Sequence, residues 1–167
     1  MAAQLDYGYA LKRGLAGAKV DLTRDIVLSR RNEAADGALL FGLAVAVGTA
    51  AGTTVKLPSA KTDVIEGVAL YAGNTEEDRD GKAIVKKDVE LDVMKKGHVW
   101  GRLAVKTAAT ESTAAVYVTP AYGATAYVVC SGDNAGRFTP TSDDTTKDIG
   151  ATFGNATEDG IAVIYLN

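Results

Sequence analysis

From Leu39 to Leu57 the apolar residues alternate in size. Leu39, Phe41, Leu43, Val45 and Val47 are large, while Leu40, Gly42, Ala44, Ala46 and Gly48 between them are mostly small. A period of two places each set on its own face of a strand. One face is then bulky, and the other is smooth enough for a second backbone or layer to approach. Gly48-Thr49-Ala50-Ala51-Gly52 predicts a turn, Thr53 to Leu57 a second strand, and Pro58 its end. Large residues spaced three and four apart are missing and glycines interrupt the run, which argues against a helix.

The same pattern recurs along the chain. Residues 25–31 (DIVLSRR) and 63–71 (DVIEGVALY) predict strands, with Gly67 as a bulge or close-contact point. Asn74 to Gly81 predicts a charged loop whose Asp-Gly ending signals a hairpin. Val85 to Met94 alternates as a half-buried strand, and Lys95-Lys96-Gly97 predicts a turn into a further strand, His98 to Lys106. In that strand Val99, Leu103 and Val105 share one face, while His98, Trp100, Arg102 and Lys106 share the other. Short strands follow at 115–119, 124–130, 137–139 and 147–153. The final run, Ile161 to Leu166, is apolar on both faces and belongs in the middle of a sheet. No segment predicts a helix. The expected fold is all-β: one antiparallel β-sandwich or barrel domain of about ten short strands.

Composition supports this and narrows the chemistry. The 167 residues contain 18 glycines and 3 prolines, with 47% apolar residues, enough for a full core. The net charge of −3 gives no reason to expect direct contact with nucleic acid. The longest apolar run, residues 38–47, is too short to span a membrane. The start of the chain lacks the apolar core of a signal peptide, and the single Cys130 excludes an internal disulfide framework. Together these predict a protein made and used in a reducing cytoplasm.

Charge is unevenly placed. Over residues 1–31, Lys12, Arg13, Lys19, Arg24, Arg30 and Arg31 face only Asp6, Asp21 and Asp25, giving +3, so the remainder carries −6. Residues 1–24 also lack a sustained period and hold Tyr7 and Tyr9 close together. They are either a frayed terminus or an extended arm that orders against an acidic neighbour, preceding a β domain at 25–167.

Catalytic chemistry is poorly represented. His98 is the only histidine, and neither Ser112 nor Ser131 sits in a nucleophile elbow that would use it; an exposed strand residue beside Trp100 is the expectation. Cys130 lies in an apolar strand, where thiols are inert. The acidic loops at 76–80 and 143–148 do not follow a calcium-loop spacing, and Gly48 to Gly52 lacks the lysine of a phosphate loop. No enzyme, metal or cofactor is expected. What remains is the aromatic and basic face of His98, Trp100 and Arg102, which is either a protein contact or a cap on the core. Trp100, Tyr117, Tyr122 and Tyr127 also leave open a carbohydrate-binding module.

The order of short motifs resembles the structural cement, or capsid decoration, proteins of tailed bacteriophages. The resemblance runs through Gly17 to Asp21, Val27 to Glu33, Gly42 to Thr49, Gly52 to Pro58 and Gly67 to Leu70. It continues through Val89 to Val93, Gly97 to Trp100, Val116 to Val118, Arg137 to Thr139, Ile149-Gly150 and Gly160 to Asn167. One departure is a spacer, Thr119 to Asn134, longer than the family's short turn. The resemblance implies a compact jelly-roll or tulip-like β domain without catalytic residues. It implies binding to the exterior of the expanded capsid in the virion, bridging of neighbouring major capsid protein subunits, and assembly in the host bacterial cytoplasm. A homotrimer is expected before a dimer, with Tyr7, Tyr9, Lys12, Arg13, His98, Trp100 and Arg102 as candidate partner contacts. A tail or baseplate component is the alternative within the same structural class.

Overall fold

The computed structural model describes residues 14–22, 24–72, 76–77, 83–110, 113–157 and 159–167. Within them the alternating pattern becomes thirteen strands: β1 (Ile26–Asn32), β2 (Ala44–Val47), β3 (Thr54–Lys56), β4 (Ile65–Ala69), β5 (Glu76–Glu77), β6 (Ala83–Ile84), β7 (Glu90–Arg102), β8 (Val105–Thr107), β9 (Val116–Tyr117), β10 (Thr125–Val129), β11 (Phe138–Thr139), β12 (Thr146–Ala156) and β13 (Ile161–Leu166). The one helical turn among the described residues is 3-10, Gly132–Asn134. The all-β expectation holds.

Nine strands form a continuous sheet in the order β1-β3-β2-β4-β7-β13-β12-β10-β11. The sheet closes on itself twice. β1 also pairs with the first half of β7, with Leu28 opposite Val93 and Arg30 opposite Leu91, making a five-stranded ring. The second half of β7 pairs with β13, and beyond it Leu103 bridges Phe138 while the Ala104 N–H donates to the Phe138 carbonyl at 2.8 Å. Two small barrels therefore lie side by side on the long β7. Five strands cannot alternate in direction around a closed ring, so each ring must contain a parallel contact. These are β1–β3 in the first and the Leu103–Phe138 bridge in the second; every other pairing is antiparallel, as the sequence predicts.

The shared wall explains why β2 and the Val68-Ala69 end of β4 are apolar on both faces. Val45, Ala69 and Val93 point into a first core with Leu39, Phe41 and Leu91, whereas their neighbours Ala44, Val68 and Met94 point into a second core with Phe138, Phe153 and Ile164. Each large side chain buried this way contributes about 1.5–3 kcal/mol. The first barrel also holds an ion pair. Arg30 lies opposite Leu91 and so faces inward; its Nη2 donates to Glu66 Oε1 at 2.8 Å, with side chains only 14% and 11% exposed. β13 lies centrally between β7 and β12, as its two apolar faces require.

Three sequence expectations are corrected. Lys95-Lys96-Gly97 is not a turn: β7 continues through it with a bulge, Ile26 facing Lys96 and Val27 facing Met94. The extra residue moves Val99 and Leu103 onto the side of Met94, so one strand serves both cores. Residues 38–43 are turns rather than strand, although Leu39, Phe41 and Leu43 are all buried. The strand predicted from Val85 begins only at Glu90, because Asp88 takes φ 62 and breaks the alternation, leaving Val89 half-exposed. The hairpin signal at the acidic loop corresponds to the β5–β6 pair, although Asp80 and Gly81 lie outside the described residues.

Candidate interaction surface

The second half of β7 offers one edge to β13, and residues 17–20 take the other. Gly17 N–H donates to the Trp100 carbonyl at 2.7 Å, Trp100 N–H to Ala18 at 2.9 Å, and Val20 N–H to His98 at 3.0 Å. The Gly17 carbonyl in turn accepts from Tyr71 N–H at 2.9 Å, so this segment bridges two elements. Of the small residues on the expected smooth strand face, Gly42 sits at this crossing, in a turn rather than a strand. A Cβ on Gly42, whose φ is +80°, would stand 2.9 Å from both Gly17 N and the Trp100 carbonyl oxygen. Only glycine fits that crossing of three backbones.

Register with β13 places Tyr165 opposite His98, Val163 opposite Trp100 and Ile161 opposite Arg102. These six residues form one face, turned away from the second core that Val99, Ala162 and Ile164 enter. The predicted grouping of His98, Trp100 and Arg102 is therefore correct. Lys106 does not join it: Leu103 and Ala104 interrupt the strand, and Lys106 lies exposed on β8. Tyr7, Tyr9, Lys12 and Arg13 lie outside the described residues.

His98 is half-buried rather than exposed. The Asp21 carboxylate accepts from its Nδ1–H at 2.6 Å, which fixes the tautomer, and its ring meets Tyr165 edge-on at 4.6 Å. Tyr122 continues the aromatic row 6.4 Å from Tyr165. The Tyr165 hydroxyl is held above the usual phenol range, first by its hydrogen bond with Tyr122, then by burial and by nearby Tyr122 and Asp21. Asp21 and Tyr165 were not apparent as candidates, since each lies more than sixty residues from His98. The available signal was parity with Ile161 and Val163 in the last strand.

Arg102 Nε–H donates to the Phe41 carbonyl at 2.8 Å. Burial, and then the neighbouring Arg137 cation, lower its pKa from the ordinary arginine value. Arg137 is lowered by burial as well, and its Nη1 donates to the Leu103 carbonyl at 3.1 Å.

Among the described residues no group of three His, Cys, Asp or Glu side chains is placed to hold a metal ion. Trp100 is a poor sugar platform because the Gly14 backbone lies on its indole, and Gly160 packs likewise on the Tyr117 ring. Cys130 is fully buried, and burial raises its thiol pKa.

No curated protein sequence matches the chain. Among solved structures, a chain from the capsid of Myoviridae phage XM1 superposes with a TM-score of 0.70 at 15% identity, covering 98% of both chains, and so shares the fold. The sequence profile of the family described as Structural cement protein (E217 gp24/Pam3 gp6) matches residues 3–167. With nearly the whole length matched, this chain belongs to the structural cement protein family.

Proposed function

We propose that this structural cement protein decorates the exterior of the expanded phage capsid and bridges neighbouring major capsid protein subunits, stabilising the shell against the packaged DNA. The observation that carries the reading is the family match along residues 3–167. Its role is structural rather than enzymatic. A protein that binds only the expanded lattice stabilises that state by linkage, and many symmetric copies multiply a modest contact.

Residues 1–24 serve as the arm, with Tyr7, Tyr9, Lys12 and Arg13 reaching a neighbouring subunit, and the His98, Trp100 and Arg102 face supplies a second contact. The hydrogen bonds of residues 17–20 along β7 support this division of labour: they anchor the arm's root where that face begins. A homotrimer at a local symmetry axis is favoured over a dimer.

The test is cosedimentation of the purified protein with expanded, undecorated shells of its own phage. Stoichiometric pelleting is expected. Absence of binding would overturn the reading and favour a tail or baseplate component.

A further inference from the structure

Beside the β7 face lies a groove of about 550 Å³, open to solvent, whose lining includes Leu15, Leu40, Phe41, Tyr71 and Arg102. Its walls are apolar. Leu15 is 50% exposed and Tyr71 44%, and Phe41 meets Tyr71 edge-on at 5.4 Å. Among the described lining residues the single charge is the Arg102 guanidinium.

Among the described residues that guanidinium has no acidic partner. Of its five N–H donors, the Nε–H goes to the Phe41 carbonyl, and no carboxylate among the described residues contacts it. The contrast within the molecule is direct, because the half-buried Arg30 is neutralised by Glu66. Arg137 nearby adds a second cation, also bonded to a carbonyl. Removing a cation from water without neutralising it is costly, and a bidentate carboxylate is the ligand that best matches a guanidinium fork.

We propose that this groove receives a segment of the shell protein that seats a carboxylate on Arg102 and an apolar side chain between Leu15 and Tyr71. The inference rests on the capsid-binding role and gives it a contact chemistry. Charge complementarity selects the occupant: the groove presents the Arg102 guanidinium without a carboxylate among the described residues, so it takes an acidic segment and the carboxylate fixes the docking register.

The experiment titrates expanded, undecorated shells with wild-type protein, Arg102→Gln, Arg102→Lys and Leu15→Glu, the last placing a repelling charge on an exposed wall. Arg102→Gln and Leu15→Glu should each weaken shell binding about thirtyfold or more, and Arg102→Lys should retain part of it. Unchanged binding by Arg102→Gln while the wild type binds would overturn the groove alone; failure of the wild type to bind would bring down the capsid-binding role with it. If Arg102→Gln fails to fold, Leu15→Glu carries the same test. Two further outcomes overturn the proposal. A change of sedimentation state in free Arg102→Gln would make the occupant a second copy. Loss of hydrogen-exchange protection at residues 37–41 and 71 on deleting residues 1–13 would make it the chain's own terminus.

Discussion

Gly14 lies flat against the indole of Trp100: a Cβ at Gly14 would stand 2.6 Å from Trp100 Cδ2, and the Gly14 φ of +89° suits glycine alone. The contact fixes where the N-terminal segment meets the β7 face. Gly14→Ala should therefore loosen residues 14–20 at a cost of about 1–3 kcal/mol. Trp100 is the only tryptophan, so its emission reports the change directly. A red shift is expected in the variant, with faster amide exchange at Trp100 and Val20.

The Arg30–Glu66 pair inside the first barrel makes a second prediction. Removing one partner leaves a charge almost out of water, so Glu66→Ala should destabilise the protein by about 3 kcal/mol. Both side chains keep slight exposure, which places the effect at the low end for buried pairs. Replacing both with apolar residues, Arg30→Met with Glu66→Leu, should cost less than the sum of the single changes in urea unfolding.

Acid sensitivity follows from two turn carboxylates. Glu33 accepts from the Thr49 N–H and hydroxyl and is lowered to about 2, first by that side-chain bond. Asp63 is lowered to about 2, first by the Ser59 N–H. Each is depressed in the folded state, so its stabilisation is complete above the ordinary values of 4.5 and 3.8 and is lost as pH falls toward 2. The thermal midpoint should fall across that window. Glu33→Gln should flatten the fall while lowering the midpoint at neutral pH.

Cys130 is fully buried and its thiol pKa is raised, so the thiolate is scarce as well as inaccessible. A disulfide-exchange reagent should leave the native protein unmodified at neutral pH and titrate one thiol after denaturation. Rapid native labelling would contradict the packing of the second core.

Much of this arrangement was legible in the residues. IAVIYL reads as a central strand because both faces are apolar, and β13 is one. The parity that groups His98, Trp100 and Arg102 is local and survives folding. The double-barrel closure was not legible, because Lys95-Lys96-Gly97 has the composition of a turn whether the chain reverses or bulges. Only the pairing with Ile26 and Val27 decides between them. The partners of the face were hidden for the same reason. Asp21 meets His98 across 77 residues and the Phe41 carbonyl meets Arg102 across 61, distances over which no sequence period operates.

The central claim is stabilisation of the shell, and its most direct measurement is the melting of expanded, undecorated capsids with and without saturating protein. The account predicts a higher shell melting temperature that rises with occupancy and levels off at a fixed number of copies per capsid subunit. A melting temperature unchanged at full occupancy would contradict it.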